Sequence, residues 1–285
     1  MRNPVSRIPF LALLGLAFIA TAAHAATLKE TFQQTYPLQA SREVSLDNVN
    51  GAVKIEGWDR NEVQVVAEKQ VKAGNAEDAR KAMDQIKIIV GKTAGGLSIE
   101  TKLPKREGGF FDWLSGNNIN INVTYRVRVP RSVALDVETV NGGVTLSGTR
   151  GKTSLETTNG AIDVARVGGN IRLRSTNGGL VVADSTGTVD ASTTNGGIEV
   201  DLKDVPDVSD LSFSTTNGSV TLRLPRDVRV SLDAATSNGR VSTSFEVDGD
   251  GGKPNRRHLS GDINGGGGGK LHIRSTNGSV DIESQ

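Results

Sequence analysis

Apolar and polar residues alternate on both sides of a recurring Asn-Gly pair through the C-terminal half of the chain. Apolar residues lie six and four positions before each Asn, and they recur three and five positions after it. Around Asn177 these positions hold Ile171, Leu173, Leu180 and Val182. Alternation with a period of two places one face of each strand in a common core. The pattern therefore predicts a short strand on each side of every Asn-Gly turn.

The Asn-Gly pairs recur at a regular interval, and a Thr or Ser stands two residues before each Asn from Thr139 to Ser275. Three successive intervals are 18 residues long, from Asn141 to Asn195, and weaker glycine turns lie midway. We interpret the pairs as structural corners of a repeat, without a catalytic role. The predicted corner residues are Asn141, Gly142, Asn159, Gly160, Asn177, Gly178, Asn195, Gly196, Asn217, Gly218, Asn238, Gly239, Asn277 and Gly278.

Two architectures fit this repeat. Asn-Gly between two strands is the strongest short hairpin signal, so a meander of antiparallel hairpins is one of them. In the other, each 18-residue lap lies about 4.8 Å above the last, and equivalent Asn side chains hydrogen bond along a column. Recurrence of one tetrapeptide at every second corner favours the second. We predict an all-β, single-domain parallel β-solenoid (β-helix) with Asn-Gly corners and one short helix in the N-terminal part.

Charged residues at outward positions agree with parallel stacking. Arg172 would lie one lap from Asp190, and Arg174 one lap from Glu156, which gives neighbours of opposite charge. The interval loosens after Asn195, and 39 residues separate Asn238 from Asn277, enough for about two laps. In a sequential stack the last strand, 280–282, would form an exposed terminal lap.

Three segments divide the chain. Residues 1–25 have a positive start, an apolar run and a small-x-small site ending at Ala25, which is the anatomy of a signal peptide. Residues 26–130 read as irregular β laps, and residues 131–285 as the regular repeats. With cleavage near Ala25 we expect a periplasmic, secreted or cell-surface protein whose mature chain has no transmembrane segment.

The N-terminal segment contains a short helix and an aromatic loop. Asn75 can cap the helix, whose apolar face would hold Ala76, Ala79, Met83 and Ile86. The loop concentrates large apolar groups in a chain that is only 4 % aromatic. It is either a lid folded over the repeats or an exposed contact for a partner. The candidate contact residues are Phe110, Phe111, Trp113 and Leu114.

Charge and composition argue against several classes of function. The 33 basic and 32 acidic residues leave no excess that would indicate a nucleic-acid partner. The chain has no Cys, and apart from the signal segment its only histidines are His258 and His272, so we expect no metal site and no cofactor. Outward acidic residues fall in different laps, so we expect no catalytic group and no enzyme. They are Asp136, Asp163, Asp190, Glu199 and Asp281.

The recurring Thr-Thr-Asn-Gly-x-Ile/Val-x-Val unit, the lead-in Val127-Arg128-Val129-Pro130 and the glycine-rich turn before Leu271 carry a family resemblance. Together with the signal peptide, they resemble the bacterial putative-adhesin family of β-strand-repeat proteins, a domain of unknown function. The resemblance covers about Val44 to Ile282. It implies surface attachment and supplies no catalytic residues.

These observations predict an exported, non-enzymatic module of the cell envelope, with an adhesin-like or structural role. Its partner would be an envelope polymer or protein. One alternative is a carbohydrate-active enzyme built on a β-helix, with paired carboxylates on an outward face. A second is a periplasmic accessory or sensor subunit of an envelope-stress system.

Overall fold

The computed structural model describes residues 26–39, 42–103, 119–206, 209–249 and 257–285. Within these residues the chain forms 22 β-strands and one α-helix, so the fold is all-β with a single helix in its N-terminal part. The predicted signal peptide and the candidate contact residues of the aromatic loop lie outside the described residues.

The N-terminal elements are β1 (Ala26–Pro37), β2 (Glu43–Asn50), β3 (Val53–Trp58), β4 (Glu62–Ala73), α1 (Ala76–Gln85), β5 (Lys87–Lys92), β6 (Gly96–Lys102) and β7 (Asn120–Pro130). The repeats begin with β8 (Ala134–Asn141), β9 (Val144–Ser147), β10 (Thr153–Asn159), β11 (Ile162–Ala165), β12 (Gly168–Asn177), β13 (Leu180–Asn195) and β14 (Ile198–Asp204). They continue with β15 (Leu211–Asn217), β16 (Val220–Leu224), β17 (Val230–Asn238), β18 (Val241–Thr243), β19 (Val247–Gly249), β20 (His258–Ile263), β21 (Gly269–Asn277) and β22 (Val280–Ser284).

The strands on the two sides of an Asn-Gly corner belong to different ladders. β10 pairs in parallel with β8 and β12, whereas β11 pairs in parallel with β9 and β13. Residues 18 positions apart are partners, so that Asn159 faces Asn141 on one side and Asn177 on the other. The hairpin alternative is therefore wrong for these corners. Each strand pairs with its equivalent in the next repeat unit.

Two faces follow from this pairing. Strands that end at a corner Asn form what we call the pre-corner face, and strands that follow the corner Gly form the post-corner face. β13 is long enough to serve both, pairing with β11 through its first residues and with β12 through its last. The inward side chains of both faces join in one continuous core of Val, Ile and Leu, with Tyr125 and Phe213 as its largest members. The core is thin and repetitive, as the low aromatic content requires.

The N-terminal elements join the repeats across a long stretch of sequence. β2 lies between β6 and β8, and β3 lies between β7 and β9, so Asn50 is the partner of Asn141. The outer strands at this end run antiparallel, as β1 to β4, β4 to β7, and β5 to β6. Antiparallel strands and a helix therefore cover this end of the parallel ladders.

Helix α1 begins where its capping residue predicts. The Asp78 backbone N–H donates to Asn75 Oδ1 at 2.8 Å, which satisfies one of the free amides of the first turn. The buried face holds Ala79, Ala82 and Met83 and packs toward β1 and β4. Ala76 is exposed, so its predicted place on the apolar face is wrong. At the N-cap boundary the first helical residue still points to solvent.

The last strands of the chain lie inside the ladders. β21 pairs in parallel with β15 on one side and with β17 on the other, and β22 lies likewise between β16 and β18. The expectation that the final strand is an exposed terminal unit is therefore wrong. The chain first forms β17 and β18 one position further along the ladders and then reverses direction through the antiparallel strands β19 and β20. It returns to place β21 between β15 and β17, and β22 between β16 and β18.

Candidate functional site

The Asn side chains of the corners form a hydrogen-bonded column. Each Nδ2 donates to the Oδ1 of the neighbouring Asn, as Asn177 does to Asn159 at 2.8 Å. Seven such bonds, of 2.7 to 2.9 Å, connect eight residues. Their spatial order is Asn50, Asn141, Asn159, Asn177, Asn195, Asn217, Asn277 and Asn238. The column fixes the register of every unit at one edge.

A short hydroxyl side chain before six of the corners donates to a glycine carbonyl oxygen of the neighbouring unit. Thr157 Oγ1 donates to the carbonyl oxygen of Gly142 at 3.0 Å, and Ser175 Oγ donates to that of Gly160 at 3.1 Å. A larger side chain at these buried positions would displace the adjacent unit. This hydrogen bond explains why Thr or Ser recurs at these six positions, whereas Thr139 Oγ1 has no hydrogen-bond partner among the described residues.

At the N-terminal end of the column an Asn takes the place of this hydroxyl residue. Asn48 Nδ2 donates to the carbonyl oxygens of Gly51 and Val123, each at 3.0 Å, and Thr101 Oγ1 donates to Asn48 Oδ1. Thr101 Oγ1 also lies 2.7 Å from the hydroxyl of Tyr125, whose burial raises its pKa to about 12. This buried polar chain links β2, β6 and β7 to one another across the core.

Carboxylates from four neighbouring strands form a row on the pre-corner face. Asp47 lies opposite Glu100 on one side and Glu138 on the other, and Glu156 follows Glu138. Adjacent strands are about 4.8 Å apart, so these like charges are direct neighbours. We call Glu100, Asp47, Glu138 and Glu156 the acidic row.

Two carboxyl groups of the acidic row, those of Asp47 and Glu138, have raised pKa values. Burial, followed by the charges of Glu100 and Asp136, raises the pKa of the Asp47 carboxyl. Burial also raises the pKa of Glu138, with further contributions from Asp47, Asp136 and Glu156. Arg174 follows Glu156 in register but instead binds Asp190, with its Nη2 2.6 Å from Oδ2. Arg174 and Glu156 are thus cross-strand neighbours, as predicted, while the ion pair of Arg174 forms with Asp190 on the next strand.

Replacing Asp47 with Asn should stabilise the protein at pH 7. A raised pKa means that the folded state binds the proton more tightly than the unfolded state, so the ionised carboxylate lowers stability above the folded pKa. That cost disappears as the pH falls below about 3.8, the ordinary value for Asp. We expect a gain of about 0.5–1 kcal/mol at pH 7 and almost none near pH 3, measured by urea unfolding at each pH.

Asp163→Asn is the matched control, because Asp163 lies on the post-corner face between Thr145 and Val181. Its free energy of unfolding should change little at either pH. An equal gain from both substitutions would mean that the acidic row is not strained by its own charge.

The outward acids named from the sequence are not brought together. Asp163 and Glu199 are separated by Val181, and Glu199 and Asp281 are separated by Thr221. Asp136 lies between serines, and Asp190 binds Arg172 and Arg174. Glu199 pairs with Arg223 at 2.9 Å. The structure thus places these five carboxylates apart.

Both described histidines meet one carboxylate near the C-terminal end of the ladders. His258 Nε2 lies 3.0 Å from Asp233 Oδ1, and His272 Nδ1 lies 3.3 Å from Oδ2. Arg274 Nη2 donates to the same carboxylate at 2.5 Å and is the main reason that the pKa of Asp233 falls to about 2. The cluster ties antiparallel β20 to the parallel strands β17 and β21. Among the described residues no group of three or more His, Asp and Glu side chains has the arrangement of a metal site.

A second charged feature lies on the post-corner face. Lys54, Arg126 and Arg128 project from β3 and β7, and Glu56 lies between Lys54 and Arg128. Sequence spacing pointed to neither this feature nor the acidic row, because their strands are neighbours only through pairings across long stretches of chain.

In the part of the chain that the structure describes, no helix has the length and apolar character needed to cross a membrane.

A family model described as "Domain of unknown function (DUF7330)" matches residues 126–284, a little over half of the chain. This match confirms the resemblance to a repeat family of unknown function. No curated protein matches the chain.

Several solved structures are similar at low identity. A putative cell adhesion protein from Clostridium sporogenes is 13 % identical, with a TM-score of 0.29, and the match covers 90 % of this chain and 100 % of that one. A putative adhesin from Parabacteroides merdae is 8 % identical, with a TM-score of 0.33 and coverages of 90 % and 96 %. A putative lipid binding protein from Parabacteroides distasonis is 9 % identical, with a TM-score of 0.32 and coverages of 90 % and 96 %. At these TM-scores the likeness carries no argument about function.

Proposed function

We propose that this chain, which belongs to the family described as Domain of unknown function (DUF7330), is a parallel β-solenoid that serves as a non-enzymatic interaction module of the cell envelope. Its laps of about 18 residues would turn at the Asn-Gly corners. The observation that carries the proposal is the Asn column, with the parallel register that accompanies it. An array held in register at one edge presents outward side chains at fixed intervals of about 4.8 Å.

Such an array suits a repetitive or extended partner. Each face offers rows of side chains whose spacing is set by the backbone, and several of these rows consist of small or charged residues. A polymer that runs along the array can meet equivalent groups in successive laps, so that weak contacts add through multivalency. We therefore propose an envelope polymer as the partner, in an adhesin-like or structural role.

Export is part of this proposal. It rests on the signal-peptide pattern of residues 1–25, which ends in a small-x-small site at Ala25. The full chain, expressed with its own N-terminal segment, should be recovered outside the cytoplasm with Ala26 as its first residue. Cell fractionation followed by N-terminal sequencing measures this. Recovery of the uncleaved chain in the cytoplasm would contradict export.

Binding of the exported protein to envelope polymers tests the function itself. Purified peptidoglycan, neutral glycans and acidic glycans are immobilised separately, and retention is compared with that of heat-denatured protein. We expect the folded protein to be retained by at least one polymer and to leave the polymer's chain length unchanged. If none retains the folded protein, or if one is cleaved, the proposal of a non-enzymatic binding module fails.

The acidic row favours a second candidate, a carbohydrate-active enzyme. Glycoside hydrolysis uses two carboxyl groups, one of which needs a raised pKa to act as the acid. Asp47 and Glu138 are neighbours, and each has a raised pKa. If the protein cleaves a glycan and Glu138→Gln abolishes that cleavage while Asp163→Asn does not, this candidate replaces the first.

A further inference from the structure

A groove of about 370 Å³ lies at the N-terminal end of the post-corner face. Four strands, β1, β4, β7 and β3, lie side by side there, and Val66 and Val127 contribute to the groove between their polar neighbours. The polar lining residues are Gln33, Lys54, Glu56, Gln64, Arg126 and Arg128. We call this feature the basic groove.

The basic groove has more positive than negative charge. Lys54 is the direct cross-strand partner of Arg126, and Arg128 projects on the same side two residues further along β7. Like charges directly opposite each other destabilise a sheet. Glu56 compensates part of this, with its carboxylate 2.8 Å from Lys54 Nζ and 3.8 Å from Arg128 Nε. The hydrogen bond from Lys54 is the main reason that the pKa of Glu56 is lowered.

Glu56 is the one carboxylate that lines the groove, and Glu68 on β4, which pairs with Lys29, adds a weaker attraction to Arg126. Among the described residues, Arg126 has no carboxylate oxygen within 4.0 Å. Arg126 and Arg128 are both exposed residues, and the Arg128 guanidinium carbon lies 5.9 Å from the centroid of the Trp58 ring. A row of cations that is costly to the folded chain and left only partly compensated provides a place for an anion from outside.

The chemistry of the lining indicates the kind of anion. A guanidinium binds a carboxylate through two parallel N–H···O hydrogen bonds, and side chains two residues apart on a strand are about 7 Å apart. Arg126 and Arg128 can therefore take two successive carboxylates of one linear chain. Gln33 and Gln64 place neutral amides in the same groove, and amides can donate to and accept from hydroxyl groups. Carboxylates interspersed with hydroxyls are the groups of a uronic-acid polymer.

We propose that the basic groove binds an acidic polysaccharide through its sugar carboxylates. Arg126 and Arg128 hold successive carboxylates, Lys54 adds positive charge, and the two Gln side chains contact hydroxyl groups. This assignment rests on the proposed function, because it names the class of envelope polymer that the module binds. The binding face is then the post-corner face, because the carboxylates of the acidic row on the pre-corner face would repel an acidic polymer.

Calorimetric titration of the exported protein with polygalacturonate tests the assignment. The double variant Arg126→Gln/Arg128→Gln should weaken binding by more than about tenfold, because both charge-assisted contacts to sugar carboxylates are lost. Arg172→Gln is the control, since Arg172 is an exposed arginine of the pre-corner face. Its affinity should equal that of the wild type. Binding should also weaken as salt is raised.

Titrations with two further polymers identify the chemical group that the groove recognises. Methyl-esterified polygalacturonate should not bind, because its carboxylates are capped, and polyphosphate should bind more weakly than polygalacturonate. If the esterified polymer binds equally, if polyphosphate binds more tightly, or if the double variant binds normally, the assignment is overturned. Lys54→Gln provides a second variant if the double variant has a lowered melting temperature, and it too should weaken binding.

Failure of this assignment is distinguishable from failure of the proposed function. If polygalacturonate does not bind but another envelope polymer retains the protein, the assignment of the basic groove is wrong and the proposed function as a binding module still holds. If no envelope polymer retains the protein, both are excluded.

Discussion

Replacing Gly178 with Ala should unfold the protein or lower its free energy of unfolding by about 3 kcal/mol or more. A Cβ at this position would lie 1.9 Å from the carbonyl oxygen of Gly160 and 2.4 Å from its carbonyl carbon. Both contacts are with backbone of the neighbouring unit, so no side chain can move aside. Relief would require the two units to separate, which would break the hydrogen bond from Gly160 N–H to the Asn177 carbonyl oxygen.

Gly179→Ala is a control one residue away. Its Cβ would meet only the carbonyl oxygen of Gly197, at 3.5 Å, which is an ordinary van der Waals contact. We expect its free energy of unfolding to stay within about 0.5 kcal/mol of the wild type. Urea unfolding of both variants measures the difference. Equal effects at the two glycines would show that close stacking of the corners is not what requires Gly178.

Deleting residues 269–285 should abolish cooperative unfolding. These residues form β21 and β22, and their deletion leaves β15 and β17 without the strand that lies between them. Four fully buried side chains are lost with them, Leu271, Ile273, Val280 and Ile282. Each contributes about 1.5–3 kcal/mol, which together approaches the whole stability of a typical domain, about 5–15 kcal/mol.

Circular dichroism during a urea titration measures this outcome. The deleted chain should show a broad, non-cooperative transition or none. A cooperative transition close to that of the full chain would mean that the deleted strands form a dispensable end of the structure.

The sequence predicts the regular part of the fold because its information there is local and periodic. Asn141, Asn159, Asn177 and Asn195 are evenly spaced, so one offset of 18 residues aligns every inward side chain and every corner at once. The cap of helix α1 was predictable for the same reason. Asn75 and the amide that it accepts from are three residues apart, and no distant strand influences that bond.

The order of the units near the C-terminus was not predictable from the repeat. Asn217, Asn238 and Asn277 are preceded by the same alternation and by a Thr or Ser, so each strand fits beside any other. The choice depends on β20, which pairs antiparallel with β17 and with β19. Nothing in the corner motif encodes that pairing.

The charged features were missed for a related reason. Asp47 and Glu138 become neighbours only because β2 pairs with β8 across 91 residues, counted from Asn50 to Asn141. Lys54 and Arg126 become neighbours only through β3 and β7. The candidate sites therefore lie where the irregular N-terminal part meets the repeats, and their residues do not recur at the 18-residue interval of the corners.

Cysteine cross-linking tests the parallel stack and its strand order most directly, in a chain with no native Cys. Outward positions Thr221, Asp281 and Ser242 lie in that order on β16, β22 and β18. Adjacent parallel strands are about 4.8 Å apart, within the Cα range of a disulfide, whereas alternate strands are about 10 Å apart. Each pair of these positions is changed to Cys, and disulfide formation is followed by peptide mass spectrometry.

We expect disulfides in Thr221→Cys/Asp281→Cys and in Asp281→Cys/Ser242→Cys, and none in Thr221→Cys/Ser242→Cys. A disulfide in Thr221→Cys/Ser242→Cys, without one in Thr221→Cys/Asp281→Cys, would contradict the order and restore a sequential stack.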